Sequence, residues 1–272
     1  MLVGHGTTQN PDSAAPVVQH AAELRRRGVF AEVREAFWKQ EPQARDVLAR
    51  LAHPRVFIAP LFISEGFFCE QVIPRELGFA RNENNELVRV LHREGCTWFY
   101  CRPVGTHPSM TNVLLERARE VVRRYPFPRA PKPADISLFI AGHGTGQDAR
   151  SSQVIERQVE RIRELKLYAQ VHAVYMDQDP RIPECHTLAV TKNIVVVPFF
   201  MSDGLHVRED IPVLLGEPGR IVRSRLEAGQ QTWRNPSEKK GKLIWYAPAV
   251  GSEPHLADVI LERVNEVATG AK

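Results

Sequence analysis

Apolar positions along this chain fall into two alternating regimes, short unbroken runs and longer stripes at helical spacing. In the second half, Ile136 to Ala141 is an apolar run ending at the turn Gly142-His143-Gly144-Thr145. From Gln153 to Leu165 the apolar residues stand at 154, 155, 159, 162 and 165 with Arg and Glu between them, which predicts an amphipathic helix. Tyr168 to Tyr175 predicts the next strand, and Asn193 to Phe199 is a β-branched run suited to a strand buried on both faces. Leu243 to Ala247 predicts a fourth strand, and Pro254 to Val267 opens with proline and predicts a closing helix. The first half repeats the scheme with strands over Phe30 to Phe37, Arg55 to Phe62 and Thr97 to Cys101, and a helix over Pro108 to Arg124. Its first strand is only Met1 to Val3, against six residues from Ile136, so either that strand is short or the domain begins upstream of Met1.

The two halves are copies. Gly4-His5-Gly6-Thr7 recurs at 142–145 and Gln9 at Gln147, a shift of 138 residues. At the same shift Phe37-x-x-Gln40-Glu41-Pro42 falls on Tyr175-x-x-Gln178-Asp179-Pro180, and residues 60–78 fall on 198–216 with 8 of 19 positions identical. Val104-Gly105 matches Val250-Gly251 at a shift of 146, so the second copy carries 8 extra residues between Gly216 and Ala249. That stretch, polar from Arg220 to Lys242 with Gly229, Pro236 and Gly241, reads as an exposed loop. A shared register held over this length marks an internal duplication. The expected organisation is a first repeat over 1–125, a Pro-rich linker over 126–134 and a second repeat over 135–272. Four βα units per repeat predict an α/β fold: two duplicated domains, each with a parallel four-stranded sheet flanked by helices and joined by right-handed crossovers.

Composition narrows the function classes. With 272 residues, 43% apolar and 25% charged, the chain is an ordinary globular protein rather than a disordered or fibrous one. The four cysteines form no C-x-x-C pair, no apolar run is long enough to span a membrane, and the N-terminus lacks a signal-peptide pattern, so a cytoplasmic protein away from membranes is expected. The net charge is +4, carried by 28 Arg against 8 Lys. Arginine captures carboxylate and phosphate in bidentate fashion, so a polyanionic ligand fits, although a GC-rich genome gives the same excess. There is no helix-turn-helix, zinc-finger spacing or aromatic-interleaved basic stripe, and a nucleic-acid partner is not expected.

Ligands of open α/β sheets bind beyond the carboxyl ends of the strands. Both Gly-His-Gly-Thr turns lie there, as do Ser64-Glu65-Gly66 and Ser202-Asp203-Gly204. In the second repeat His143 follows the first strand and His206 the third, and adjacent strand ends bring two imidazoles to one place. Paired imidazoles suit a divalent metal such as Co²⁺, Fe²⁺, Ni²⁺ or Zn²⁺ and take up protons near neutral pH. In the first repeat His5 persists, but Phe68 stands where His206 does. Each histidine alone reads as a turn or loop residue; their joint placement within a preserved repeat is what points to function.

Gly-His-Gly-Thr, then Val-Pro-Phe-Phe-Met-Ser-Asp-Gly-Leu-His-Val-Arg-Glu-Asp-Ile-Pro over 197–212, then Ala-Val-Gly-Ser with a closing helix, resembles the class II tetrapyrrole chelatases. The closest branch is the sirohydrochlorin cobaltochelatase and ferrochelatase group, whose smallest members are a single half that dimerises. The resemblance covers nearly the whole chain in two copies. It implies a chelatase-like fold with the macrocycle between the domains, and insertion of Co²⁺ or Fe²⁺ into sirohydrochlorin in cobalamin or siroheme biosynthesis. It also implies His143 and His206 as the metal-handling and catalytic pair, His5 matching only the first of them. The metal is substrate and no further cofactor is expected; the C-terminal His-rich region and iron–sulfur cysteine motif of some long members are missing here, so no iron–sulfur cluster is expected. The octacarboxylate macrocycle calls for cationic contacts, and the substrate-binding candidates are His5, Arg75, Ser202, Asp203 and Arg208. Asp203 and Glu209 are also candidates for metal entry or for orienting imidazole, with a solvated-loop role as the alternative for each. Tyr175 and Gln178 are expected to border the cleft, Phe67 and Phe68 to fill core or, as the alternative, to pack on the macrocycle face, and Cys185-His186 to fill core within a helix. The expected partners are thus a tetrapyrrole polycarboxylate and a divalent metal, the chain acting as a monomer with pseudo-twofold symmetry. The alternatives are insertion of nickel or use of another tetrapyrrole, and a non-catalytic metal- or tetrapyrrole-binding protein.

Overall fold

A computed structural model describes residues 1–7, 11–144 and 150–270. Gln9, Thr145 and Gln147 of the repeat lie outside the described residues. The chain forms two compact units, Met1–Met110 with Pro254–Lys272, and Thr111–Glu253.

The first unit contains β1 (Leu2–Gly4), α1 (Ala15–Arg27), β2 (Glu35–Phe37), α2 (Ala44–Leu48), β3 (Arg55–Pro60), α3 (Ile73–Glu76), β4 (Val90–Arg93) and β5 (Cys96–Tyr100). Its sheet order is β2-β1-β3-β5-β4. The second unit contains α4 (Met110–Arg124), β6 (Ile136–Gly142), α5 (Arg150–Glu164), β7 (Gln170–Tyr175), α6 (Cys185–Leu188), β8 (Asn193–Pro198), α7 (Ile211–Leu214), α8 (Gly219–Glu227), β9 (Ser237–Lys239) and β10 (Lys242–Tyr246), in the sheet order β7-β6-β8-β10-β9. The last helix, α9 (Leu256–Ala268), belongs to the first unit. Among the described residues no helix is long and apolar enough to cross a membrane.

Each sheet therefore has five strands rather than four. The four parallel strands are those expected, and β4 and β9 add an antiparallel edge to β5 and β10. Both edges turn through two-residue hairpins, Glu94-Gly95 and Lys240-Gly241, in which all four residues have positive φ. This is the hairpin turn that matches strand twist. The polar stretch after Gly219 is thus not one exposed loop but a helix followed by an edge strand. An edge strand needs no apolar alternation when its outer face meets water. Strand β2 begins at Glu35 rather than Phe30 because β1, with which it pairs, offers three residues to pair with. Leu165 lies past the end of α5 and is half exposed, while Val154, Ile155, Val159 and Ile162 are buried as the stripe requires. Strand β6 is buried along its whole length, between β7 and β8.

The compact units do not follow the sequence boundary at 125/126. Each closing helix packs with the sheet of the other repeat. In the second unit Arg117 of α4 donates from Nε to the Ala249 carbonyl at 3.1 Å and from Nη2 to Ser252 Oγ at 2.7 Å. In the first unit Arg263 of α9 donates likewise to the Pro103 carbonyl at 3.2 Å and to Thr106 Oγ1 at 2.6 Å. Arg117 and Arg263 are equivalent at the 146-residue shift, as are their acceptors. Both arginines are buried, so each brace is made out of reach of water, where hydrogen bonds to charged groups contribute most.

Burial holds His107, His172 and His186 below the ordinary imidazole range. For His107, Arg263 adds to the effect and the two outweigh Glu266 and Glu262; for His172, Arg163 adds and Glu156 opposes; for His186, Lys240 and Lys242 add. At His107 the Ser109 N–H donates to Nδ1 at 3.1 Å, which requires that nitrogen unprotonated, while Glu262 and Glu266 stand 3.2 and 3.3 Å from Nδ1 and Nε2 and oppose the effect of burial. The unfolded chain takes up protons at these three sites near pH 6.5 and the folded chain does so only at lower pH. Folding stability is therefore complete above about pH 6.5 and falls as pH drops below it. We expect the urea midpoint to fall between pH 7.5 and 5.5; a flat profile would contradict the burial argument.

Candidate functional site

In the second unit three neighbouring strands deliver the site. His143 directly follows β6, Asp177 follows β7, and His206 opens a one-turn π-helix, His206–Asp210, after β8. The β6 and β7 ends are tied by the Asp177 N–H donating to the His143 carbonyl at 3.0 Å. Gly144 makes that approach possible, since it has φ +67° and a Cβ there would stand 2.7 Å from Tyr175 Cβ and 2.6 Å from Gln178 Cγ. The π-turn is held from β10, where the Tyr246 hydroxyl donates to the Val207 carbonyl at 2.7 Å.

The two imidazole rings lie with centroids 5.0 Å apart and planes at 87°. An imidazole nitrogen sits about 2.1 Å from a bound divalent ion, so two rings sharing one ion at a tetrahedral angle have centres roughly 5 Å apart. The observed spacing meets that condition. Each ring also has a carboxylate on its Nδ1 side: Asp210 Oδ2 at 2.7 Å from His206 Nδ1, and Asp177 Oδ2 at 3.3 Å from His143 Nδ1. Carboxylates in this position fix the tautomer, hold the ring and leave Nε2 as the nitrogen presented to a metal. Both histidines are partly exposed, their side chains 38% and 51% accessible, so water and solute reach them.

The other sequence candidates have different surroundings. Asp203 accepts from the Ala249 N–H at 2.7 Å and from Ser252 Oγ at 3.1 Å, so both its oxygens brace the loop that leads to His206. Ser202 is half-buried in that loop. Glu209 faces Arg223 of α8 at 3.7 Å. Arg208 lines a cavity of about 300 Å³ with Arg124, Trp233 and Tyr246. Arg75 is exposed on α3, and His5 follows β1, both in the first unit. Tyr175, expected to border the ligand cleft, is instead a core residue, 1% exposed with its hydroxyl on Glu156 at 2.8 Å. Phe67, expected in the core, is 56% exposed, and Phe68 is half-buried, because both lie beyond the strand ends rather than on the sheet. Cys185 and His186 are buried in α6, and burial pushes the Cys185 thiol up to about 12. Asp177 and Asp210 are the residues that sequence reasoning misses. Their signal is present in the repeat: the equivalent positions in the first half hold Lys39 and Val72, and these differences accompany the change from His206 to Phe68.

A family model described as CbiX matches residues 1–121 and again 137–267. The chain belongs to the CbiX family. Among CbiX-related proteins, a probable sirohydrochlorin cobaltochelatase of Halobacterium salinarum is 40% identical over 97% of this chain and 89% of its own length. A sirohydrochlorin cobaltochelatase of Methanopyrus kandleri is 27% identical over 48% of this chain and 96% of its own, the length of one repeat. Among solved structures, a multi-domain protein of Deinococcus radiodurans, described as structurally similar to chelatases with two additional novel domains, superposes with a TM-score of 0.75 at 28% identity. That match covers 96% of this chain, which spans 53% of the length of the Deinococcus protein.

Proposed function

We propose that this CbiX-family chain is a metal-inserting enzyme that places Co²⁺ or Fe²⁺ in sirohydrochlorin, with His143 and His206 as its working pair. The observation that carries this reading is the pair of imidazoles 5.0 Å apart, each with a carboxylate at Nδ1. Insertion removes two pyrrole N–H protons and delivers the metal, shorn of part of its water shell, to the ring face. Two imidazoles hold a borderline divalent ion through Nε2 while leaving its other positions for water and then for pyrrole nitrogens. The metal passes to the macrocycle as the two pyrrole N–H protons leave, one to each imidazole as it releases the ion, and the imidazolium groups then return their protons to water. His143, on the strand-end turn, acts as principal base and ligand and His206 as second ligand; Asp177 and Asp210 stabilise the imidazolium that forms. The name of the Halobacterium relative supports cobalt and sirohydrochlorin, which makes the product a precursor of cobalamin; iron would make it a precursor of siroheme.

The test is anaerobic incubation with sirohydrochlorin and Co²⁺, Fe²⁺ or Ni²⁺, following the absorption change on metallation. The expected result is acceleration over the uncatalysed rate, greatest with cobalt. No acceleration with any of the three metals would overturn the reading.

A further inference from the structure

The first unit carries the same strand-end framework with different chemistry. At the positions of His143, Met176, Asp177, His206 and Asp210 stand His5, Trp38, Lys39, Phe68 and Val72. The backbone frame is kept, since the Lys39 N–H donates to the His5 carbonyl at 2.8 Å as Asp177 does to His143. One imidazole and both orienting carboxylates are gone. In their place His5 packs edge-on against Trp38 at 5.3 Å and Phe68 at 5.1 Å, and Trp38 lies 4.6 Å from Phe68 between ring centres. The Lys39 ammonium sits 4.7 Å from the Trp38 ring and 5.9 Å from that of Phe68. Phe67 extends the cluster, its ring 5.7 Å from Phe68 and its side chain 56% exposed.

The Lys39 ammonium beside a lone imidazole repels a divalent cation, which argues against a second metal site at this edge. Its chemistry suits the opposite partner, a flat aromatic polyanion. Trp38 is fixed by its Nε1–H donating to Glu76 Oε1 at 3.1 Å, and it is half-buried rather than sealed. Of the acids nearby, Glu76 is engaged with Trp38 and Glu70 is taken by Arg89, whose Nη2 reaches both carboxylate oxygens at 2.7 and 2.8 Å. Lys39, by contrast, is exposed and makes no ion pair among the described residues. Resting on the function proposed above, we infer that the strand ends of the first repeat are a metal-free docking platform for the tetrapyrrole. Trp38, Phe68 and Phe67 contact the macrocycle and Lys39 pairs with one of its peripheral carboxylates. Aromatic stacking and a charge-assisted hydrogen bond are the two contacts expected to set affinity.

The experiment is anaerobic titration of the full chain with metal-free sirohydrochlorin, alongside titration with Co²⁺ alone. K39E should weaken sirohydrochlorin binding roughly tenfold or more and raise KM far more than it lowers kcat, with K39R restoring most of the affinity. W38A should weaken binding by a similar factor. Wild type should bind one Co²⁺ per chain, and the triple change K39D/F68H/V72D should bind two. Wild-type insertion activity with K39E and W38A binding sirohydrochlorin within twofold of wild type would overturn the platform and leave the function standing. A second Co²⁺ on wild type that is lost in His5→Ala would also overturn it. Wild type that binds no sirohydrochlorin would overturn both proposals. Lys39 is exposed, so K39E keeps the test decisive even if W38A fails to fold.

Discussion

His143→Ala is expected to abolish metal insertion, lowering kcat by about 10²- to 10⁴-fold, the usual range for loss of a positioned general base. The same change should lower Co²⁺ affinity, because one of the two facing imidazoles is removed. His5→Ala, at the matching position of the first repeat, should leave the rate at saturating sirohydrochlorin within a few fold. The contrast follows from the neighbours. His143 faces a second imidazole and a carboxylate, whereas His5 is wedged between Trp38 and Phe68 with Lys39 close by. An imidazole in the first setting holds a cation and exchanges protons; in the second it contributes ring packing. Measured with sirohydrochlorin and Co²⁺ under anaerobic conditions, a greater loss of kcat in His5→Ala than in His143→Ala would move the working site to the first repeat.

Much of this difference between repeats is legible in the sequence. The duplication and the apolar runs determine four parallel strands per repeat, and the rule that ligands sit beyond strand ends singles out His143 and His206. The loss of His206 at Phe68 is visible in the same register. What stays hidden has physical causes. Strands β4 and β9 are polar edge strands whose formation depends on backbone pairing and on the turns at Glu94-Gly95 and Lys240-Gly241, which leave no apolar periodicity to read. The exchange of α4 and α9 is not legible because two near-copies of a closing helix fit either sheet, and the repeat pattern does not say which copy packs where. Asp177 and Asp210 are lost among exposed loop acids, although their replacement by Lys39 and Val72 in the first repeat is a usable signal. Phe67 and Phe68 read as core because large aromatics usually are; their position beyond the strand ends leaves them accessible instead.

The second large effect concerns a residue with no chemistry of its own. Gly251→Ala is expected to destabilise the protein by about 3 kcal/mol or more, the upper range for overpacking a tight contact. A Cβ at this position would stand 2.0 Å from the Met201 carbonyl oxygen and 2.4 Å from its carbonyl carbon, and neither can swing aside as a side chain would. The contact is part of a small knot: the Gly251 N–H donates to the Phe200 carbonyl at 3.1 Å, Asp203 accepts from Ala249 and Ser252, and Arg117 closes the far side. Met201 and Asp203 lie on the loop that leads from β8 to His206, so relief of the clash displaces the second imidazole as well as weakening the fold. Gly229→Ala is the matched comparison. Gly229 has φ +66° and a Cβ there would meet nothing within 4 Å, so its cost is backbone strain alone, about 1 kcal/mol. Urea denaturation should separate the two variants clearly, and Gly251→Ala should also lose insertion activity at temperatures where it is still folded. If it matched Gly229→Ala in both measurements, the knot would be pliable and His206 would owe its position to the π-turn and Tyr246 alone.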